Sequence, residues 1–357
     1  MVSTAPQTSS NSTATSVPSF RIVISGQQLR SDVMAVIVDE NVSTPTMFTI
    51  KLANWDQENQ EWMDEQLFKL GSEVEIFMGY GGSAGKLQKL MIAQITGLEP
   101  QFAHKEIPLL TVRGYDYSHR LLRGYNTRSF TKKKDSDIAK DIAKQAGLKY
   151  GGVTTKVALD YVLQHNQTDM EFLQSRAQRL GYEVVVQDKT LYFQPHQDKS
   201  KSVLTLVQRK DLLSFSSRLT SLTQVGQVEV HGWNPKDKKA FIGRTNPSSS
   251  SNNSGAKAVD QALGSGKKTT ERLYRPVFSL AEAEQIAHGR FKNMGLEYIS
   301  GEGLCVGRPD LRAGTVITIQ GVGKQFSGDY YVTSTIHTYS HKRGYRTAFK
   351  VRRNGTS

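Results

Sequence analysis

The chain has 357 residues, of which 37% are hydrophobic and 22% charged, and its formal net charge is +13. These values predict a globular protein of two or three domains, because a domain of ordinary size has its own core. They exclude a membrane span and a secretory signal, since no apolar run is long enough and the first residues lack a basic start. Cys305 is the only cysteine, which excludes internal disulfides and fits synthesis in a reducing cytosol.

Residues 1–18 are rich in serine and threonine and uncharged, which predicts a flexible N-terminal arm. In residues 19–125, short apolar stretches alternate with glycine and polar loops, which predicts a β-barrel or sandwich. A short helix is predicted around Glu61–Leu70, because large apolar side chains recur there near helical spacing. The predicted strands are Phe20–Ile24, Met34–Asp39, Met47–Leu52, Glu73–Met78, Leu90–Ile95 and Leu109–Arg113.

Residues 126–200 mix helical and strand patterns and predict a small α/β domain. Asp135 or Ser136 is expected to cap its first helix, because a short polar side chain can accept a free backbone N–H. Gly147 is expected to end that helix, since glycine adopts the left-handed conformation without steric cost.

A second helix in this domain has a complete local signature. Thr168 and Glu171 are spaced as a capping box, in which each side chain accepts the backbone N–H of the other residue. Gly181 is placed to end the helix, and a tight hairpin with its turn at Gln187–Lys189 is expected directly after it.

Strand patterns resume in residues 201–243 and 273–357, separated by a linker at 244–272 that is too polar to bury a core. Ser279 and Glu282 predict a second capping box, at the start of a helix. The predicted strands of this region are Val203–Val207, Gln227–Gly232, Thr315–Gln320, Tyr330–His337 and Arg346–Arg352.

The two ends of the chain carry similar patterns. Val74-x-Ile76 leads to Gly79-x-Gly81, Ile317-x-Ile319 leads to Gly321-x-Gly323, and the strands that follow come at similar distances. Either one domain has been duplicated, or two unrelated meanders share this spacing, and the sequence leaves both alternatives open.

The motifs that could carry chemistry are incomplete. The segment 79–86 resembles a phosphate loop but has Leu87 where that motif needs serine or threonine. His337 and His341 lie on or just after a strand without a third ligand nearby, and Cys305 stands between apolar neighbours as a buried residue would. We therefore predict no catalytic, cofactor-binding or metal-ligating residue, and no cofactor.

The charges are segregated along the chain. Residues 56–75 are acidic, whereas 113–134 and 342–353 are basic, and the first basic stretch is interleaved with tyrosines. A nucleic-acid groove would use such residues, but opposite patches suit self-assembly equally well, so nucleic acid is not expected as the main partner. One hypothesis is that Asp64 and Glu65 face the Arg352–Arg353 pair of a neighbouring copy.

The middle of the chain resembles the phage late control protein D family, the hub proteins of contractile tails, to which the front part of type VI secretion VgrG proteins is similar. The residues that carry the resemblance are Gln164, Asn166–Asp169, Glu171–Leu173, Leu180–Tyr182 and Leu191–Phe193, together with Arg113–Leu121, Val228–Pro235, Leu311–Gly314, Gly321–Gly323, Gly328–Val332, His337, Gly344, Tyr345 and Thr347. It extends over residues 105–243 and 275–353.

The resemblance implies a β-rich α+β fold with two tube-like β-barrel domains, residues 19–125 and residues 201–243 with 273–357. Residues 126–200 would be a small inserted α/β domain, and 244–272 a flexible linker. Three such chains would close into a ring-forming homotrimer, with two barrels from each chain around the axis.

The implied function is that of a non-enzymatic baseplate hub, which adapts a three-fold spike to the six-fold inner tube and helps to initiate tube assembly. Because the chain ends at Ser357, soon after the second expected barrel, the spike is expected to be a separate trimeric protein. Further expected partners are the inner tube or tube-initiator protein and the baseplate wedge components. The protein would be made in the bacterial cytoplasm and assembled into a phage tail or injection particle. A basic nucleic-acid-binding protein and a cell-wall enzyme of a tail are the alternatives.

Overall fold

The computed structural model describes residues 17–81, 86–234, 237–245 and 269–356. It is rich in β-structure, with 53% strand and 16% helix. The expected arm and linker lie largely outside the described residues, but both expectations were too wide. Val17 and Pro18 belong to the first strand, while Arg244 and Thr270–Tyr274 belong to strands at the margins of the expected linker.

Most strands belong to one 13-stranded sheet. The strands from the first part of the chain are β1 (Val17–Ile24), β2 (Gln27–Gln28), β3 (Val33–Asn41), β4 (Thr44–Leu52), β7 (Glu73–Gly81), β8 (Leu87–Gln101) and β9 (Leu109–Asp116). Alternate residues point into a core of buried side chains, such as Ile22 and Ile24 of β1 and Phe48, Ile50 and Leu52 of β4.

The helix predicted at Glu61–Leu70 is wrong. In its place, residues 55–67 form a short antiparallel hairpin, β5 (Trp55–Asp56) and β6 (Glu61–Trp62), followed by one 3-10 turn at Glu65–Leu67. Trp62 packs edge-on against Trp55 at 5.0 Å between ring centroids, and Phe102 contacts both rings. The apolar side chains therefore serve a hairpin, and Asp64 has a left-handed backbone (φ 61°) that interrupts any helix.

The middle of the chain forms a separate α/β layer. Its elements are a 3-10 helix at Tyr117–Leu122, β10 (Asn126–Lys134), α1 (Asp135–Gln145), β11 (Lys149–Tyr150), β12 (Ala158–Gln167), α2 (Asp169–Leu180), β13 (Tyr182–Gln187) and β14 (Thr190–Pro195). β10 pairs with β12, and β11, β14 and β13 form a second small sheet. Both helices pack on these strands through one shared core, which includes Ile138, Ile142, Phe172, Leu173 and Phe193.

The signature of α2 is confirmed, although the turn of the hairpin is one residue shorter than expected, because Gln187 belongs to β13. The Thr168 hydroxyl accepts the Glu171 N–H at 3.2 Å, and the Glu171 carboxylate accepts the Thr168 N–H at 2.8 Å. Gly181 ends the helix with φ 66°, and the hairpin turns at Asp188–Lys189, where both residues have positive φ.

The expected caps of the other two helices are only partly right. Asp135 and Ser136 both lie inside α1, whose N-cap position is Lys134, and the Asp135 carboxylate accepts from Arg176 of α2 at 2.6 Å. Ser279 caps the last helix by accepting the Glu282 N–H at 3.2 Å. The return bond of that box is absent, since Glu282 accepts from the Phe278 N–H and from Arg179 instead.

The last part of the chain completes the large sheet and adds a smaller one. The strands in the large sheet are β15 (Leu204–Val207), β16 (Leu212–Leu219), β20 (Ile299–Val306), β21 (Val316–Gln320), β22 (Gly328–Ser340) and β23 (Gly344–Arg353). Between β16 and β20, the strands β17 (Gln227–Asn234), β18 (Lys239–Arg244) and β19 (Thr270–Tyr274) form a separate sheet, on which helix α3 (Leu280–Leu296) packs. None of the helices in the described ranges is long and apolar enough to span a membrane.

Two sets of six strands in the large sheet follow the same order. The first unit runs β3-β4-β9-β8-β7-β1, and the second unit runs β16-β20-β23-β22-β21-β15. Their pairings agree in direction except at the last pair, where β1 is antiparallel to β7 but β15 is parallel to β21. The duplication that the sequence left open is therefore confirmed at the level of strand order.

The irregularities of the two units also coincide. The pairing of β8 with β9 shifts at Ile95–Gly97, and the pairing of β22 with β23 shifts at Val332–Ser334. The pairing of β3 with β4 shifts at Val33–Ala35, and that of β16 with β20 shifts at Leu212–Ser214. A bulge is a local feature of the backbone, so two matching bulges fix the residue-by-residue correspondence of the units.

A pair of glycines supports the same correspondence. The Gly71 N–H donates to the Ile95 carbonyl at 2.8 Å, and the Gly314 N–H donates to the Val332 carbonyl at 2.9 Å. Both glycines have left-handed backbones, with φ 85° and φ 84°, which other residues adopt only with strain. Ile95 thus corresponds to Val332, as the bulges require.

Candidate assembly surface

The two units are joined inside the chain by the edges of two strands. β22 of the second unit pairs antiparallel with β3 of the first, from Ser334 opposite Asn41 to Ser340 opposite Ala35. This pairing makes the two units one continuous sheet. We call it the internal junction.

A buried ion pair fastens the internal junction. Arg312 of the second unit donates from Nε to both carboxylate oxygens of Glu40, at 2.7 and 2.9 Å, and its other nitrogens reach the carbonyls of Lys89 and Leu90. The Thr335 hydroxyl donates to the same carboxylate at 3.1 Å. Glu40 is 5% exposed, so the pair lies in the interior of the sheet.

The Arg312 charge sets the protonation state of Glu40 at this junction, and burial sets that of His337. Burial alone would raise the pKa of Glu40, but the charge and hydrogen bonds of Arg312 outweigh it and lower that pKa. Burial lowers the pKa of His337 to about 4, against the opposing effect of the Glu40 charge. At neutral pH the junction therefore holds a charged Glu40 and a neutral His337.

The edges of the sheet that correspond to this junction are open. β16, the counterpart of β3, pairs with β20 and with no other named strand in the described ranges. Residues 97–101 of β8 correspond to the part of β22 that pairs with β3. Within the described ranges, these residues of β8 pair with β9 and with no other strand. Within the described residues, each chain thus has one filled junction and two unpaired strand edges that correspond to the two sides of that junction.

The two ends of the large sheet differ in what they carry. At the hairpin end lie the connections 53–72, 102–108, 307–315 and 341–343, which contain the β5–β6 hairpin and short loops. At the insert end lie the α/β layer and the described parts of the chain between β16 and β20 (residues 220–234, 237–245 and 269–298), whose counterpart in the first unit is only the tight turn between β3 and β4. The two units are therefore more alike at the hairpin end than at the insert end.

His337, His341 and Cys305 are each held by contacts within the fold. His337 Nδ1 contacts the Tyr345 hydroxyl at 2.8 Å, and His341 Nε2 contacts the Val33 carbonyl at 3.0 Å. The Cys305 thiol is buried, and burial raises its pKa to about 12, where a thiolate nucleophile is disfavoured. Among the residues that the structure describes, no group of His, Cys, Asp and Glu could hold a metal ion.

The first basic stretch is largely bound within the chain. Arg113 pairs with Glu99 at 2.8 Å, and Arg128 pairs with Asp169 at 2.5 Å. Arg120 lies over the Tyr117 ring at 4.5 Å and binds the Gln94 side chain. Arg113, Arg120 and Arg128, which a nucleic-acid groove could have used, are therefore engaged in contacts within the chain.

The two charged groups of the hypothesised pairing lie at opposite ends of the large sheet in one chain. Asp64 accepts a hydrogen bond from Ser31 near the start of β3, at the hairpin end. Arg352 lies opposite Ser300 and Tyr331 at the insert end. Copies arranged side by side in one orientation would keep these groups at opposite ends.

A cleft of ≈ 830 Å³ lies between α2, α3 and β22. Glu183, one of its carboxylates, accepts from Tyr331 and lies 3.0 Å from His196 Nδ1, while Arg179 in its wall binds Glu282 at 2.8 Å. These contacts tie the α/β layer to the large sheet and to α3. The polar side chains named here bind one another across the layers, and none of them is a Ser, Thr or Cys nucleophile beside a general base.

The sequence did not single out the open edges. Their residues, such as Leu98, Glu99, Arg218 and Leu219, have ordinary strand patterns, and only the strand order shows that they lie at an edge. The one signal that could have found them is the internal repeat, aligned on its glycines and bulges.

The architecture is shared with tail proteins of known structure. The 43 kDa tail protein of prophage MuSo2 from Shewanella oneidensis matches 95% of this chain and 100% of its own, with a TM-score of 0.68 at 11% identity. A tail protein from Neisseria meningitidis MC58 matches 95% and 97%, with a TM-score of 0.69 at 13% identity. A component of the type VI secretion system of E. coli matches 93% and 76%, with a TM-score of 0.59 at 15% identity. At these identities the likeness establishes the fold.

No curated protein sequence matches the chain. Residues 14–341 match the sequence profile of a family described as the Alg8 N-terminal domain. The late control protein D family is not the one that matches, so that finer assignment stays a prediction. Because the match extends over most of the 357 residues, the chain belongs to the Alg8 N-terminal domain family.

Proposed function

We propose that this protein is the structural hub of the baseplate of a contractile tail or contractile injection system. Three copies close into a ring, which adapts a separate three-fold spike to the six-fold inner tube and helps to initiate tube assembly. The observation that carries the proposal is the duplicated six-strand unit, with one junction filled inside the chain and two corresponding strand edges unpaired within the described residues. The fold shared with tail and type VI secretion proteins supports the same class of role.

The duplication gives a physical reason for the change of symmetry. Two similar units in each of three chains make six similar units around one axis, so a six-fold ring can stack on a three-fold one. At the hairpin end the connection 53–72 of the first unit differs from its counterpart 307–315 mainly by the β5–β6 hairpin, a smaller difference than at the other end, which suits the tube or a tube-initiator protein. At the insert end only one unit carries the chain between β16 and β20, so that end is three-fold and suits the spike.

The outer face of the large sheet would line the bore of such a ring. Its side chains point away from both cores and are mostly small or polar: Lys51, Thr111, Arg113, Ser214, Ser216, Thr338, Ala348 and Lys350. Such a face requires neither a cofactor nor a catalytic group. We accordingly place the protein in the assembled particle, in contact with tube, spike and wedge components.

Native mass spectrometry with negative-stain imaging tests this function. A trimer whose averaged images show six similar density lobes at one end, and three at the other, is the expected result. A protein that stays monomeric at high concentration and alone degrades peptidoglycan would overturn the proposal in favour of a cell-wall enzyme. Tight, salt-dependent binding of single-stranded DNA by a monomer would instead favour the nucleic-acid alternative.

A further inference from the structure

The open edges of the chain fit each other. We propose that residues 97–101 of β8 in one copy pair with β16 of the next copy, in the register that β22 and β3 use at the internal junction. Glu99 then lies opposite Arg218 of the partner subunit. This inference rests on the proposed ring and specifies how its subunits join.

The register follows from the two correspondences established by the bulges. Because Val332–Ser334 corresponds to Ile95–Gly97, Ile336 of β22 corresponds to Glu99 of β8. Because Val33–Ala35 corresponds to Leu212–Ser214, Asp39 of β3 corresponds to Arg218 of β16.

At the internal junction Ile336 lies opposite Asp39. Transferred to the open edges, the same register places Glu99 opposite Arg218. These are the only two residues of opposite charge that the transferred segment of residues 97–101 brings face to face. Glu99 is 57% exposed in its side chain and already pairs with Arg113, so it would stand between two cations.

Next to the Glu99–Arg218 position, both opposed residues differ in polarity between the internal junction and the open edges. The internal junction places Thr335 opposite Glu40, joined by a hydrogen bond of 3.1 Å. The corresponding residues at the open edges are Leu98 and Leu219, which are both apolar and only partly buried in the single chain. The polar pair of the internal junction thus corresponds to an apolar pair at the open edges. Directly opposed residues on neighbouring strands contact each other, so a matched polarity is expected if these two edges pair.

Pro100 marks the outer side of β8 as an edge. At the internal junction the Val42 N–H donates to the Thr333 carbonyl at 3.1 Å, so every second residue from Thr333 directs its backbone groups towards β3. Pro100 corresponds to one of these residues, His337, and its missing N–H therefore faces the open edge and not β9. Proline at that place removes one donor from the proposed pairing and hinders pairing with unrelated strands.

A pair of engineered cysteines tests the register. Gln101 and Ser216 are exposed and correspond to Thr338 and Ile37, which lie directly opposite each other at the internal junction. Opposed residues of this non-hydrogen-bonded kind have Cα atoms about 4.5 Å apart, within the range of a disulfide. Under mild oxidation, the full-length Gln101→Cys/Ser216→Cys variant should shift from single chains to covalent dimers and trimers on a non-reducing gel.

The matched control is Gln101→Cys/Ser214→Cys, which displaces one cysteine by two residues along β16 and should leave most chains unlinked. A ring that forms but cross-links only in the control, or in neither variant, would overturn the proposed pairing and leave the hub function standing. Chains that remain monomeric and unlinked in both variants would overturn the pairing and the ring together.

Charge reversal gives a second, independent measurement. Arg218→Glu places two carboxylates opposite each other and should lower the trimer fraction, whereas Glu99→Lys in the same chain should restore it. Lys239→Glu changes the net charge equally on the separate β17–β19 sheet and should leave the trimer fraction unchanged. Equal loss of trimer in Arg218→Glu and Lys239→Glu, without rescue, would contradict the pairing.

Discussion

Arg312 Nε donates hydrogen bonds to both carboxylate oxygens of Glu40, at 2.7 and 2.9 Å, across the boundary between the two repeated units. The contact joins residues that are far apart in the sequence. Because the Glu40 carboxylate is buried, it would be costly to keep it charged without Arg312. It therefore connects the stability of one unit to the presence of the other.

Removal of the arginine should be costly. Arg312→Ala leaves a buried, unpaired carboxylate at Glu40 and should lower the free energy of unfolding by about 3–5 kcal/mol, measured by urea denaturation. Arg290→Ala removes a more exposed ion pair with Glu271 and should cost no more than about 1 kcal/mol. Equal effects of the two variants would show that the Glu40–Arg312 pair does not stabilise the junction.

The same junction should make the protein sensitive to mild acid. The pKa of His337 is about 4 in the fold against an ordinary value of 6.5, so between these values only the unfolded chain takes up the proton. Stability should therefore fall as the pH decreases from 6.5 towards 4. Glu40 adds to the loss, because its lowered pKa gives stability that is present above the ordinary value of 4.5 and lost below it.

Thermal melts between pH 4 and pH 7 measure this dependence. His337→Gln keeps a polar side chain without an imidazole, and its melting temperature should vary less with pH in the range above 4.5. An unchanged slope in that variant would assign the acid sensitivity to other groups.

The apolar face of α2 should be essential to the α/β layer. Leu173 is fully buried, so Leu173→Ala should cost about 2–5 kcal/mol through the cavity that it leaves. Thr168→Ala removes the cap and should cost about 1 kcal/mol. Leu222→Ala, at a side chain that is 86% exposed, is the control and should leave the melting temperature unchanged.

The contact between α2 and α3 depends on two glycines. A Cβ added at Gly289 would lie 2.4 Å from the carbonyl carbon of Leu180 and 2.5 Å from the nitrogen of Gly181, which are backbone atoms without freedom to move aside. Gly289→Ala should therefore force the helices apart and cost about 1–3 kcal/mol in denaturation experiments. Arg290→Ala, one residue further along α3, controls for the helix itself. A Gly289→Ala variant as stable as the parent would mean that the helices separate without loss.

Where the sequence was correct, the decisive contacts are local. The capping box of α2, its end at Gly181 and the Asp188–Lys189 turn depend on hydrogen bonds and backbone preferences within a few residues. Where it was wrong, a distant residue had intervened. Around Trp62 a hairpin replaces the expected helix, and its two tryptophan rings pack against Phe102, which lies beyond β8.

The sequence by itself determined the two helices and the hairpin of the middle layer and the pattern of the repeat, because these follow from spacing and residue type, whereas it did not identify β10, β11 or β12. Only the tertiary structure decided which strand edges are filled and which are open. β3 and β16 correspond in the repeat, yet one is covered by β22 and the other is not. The backbone N–H and C=O groups of any strand can pair with those of any other strand, so the residues of one strand do not determine its neighbour. The neighbour is determined by how the whole chain folds.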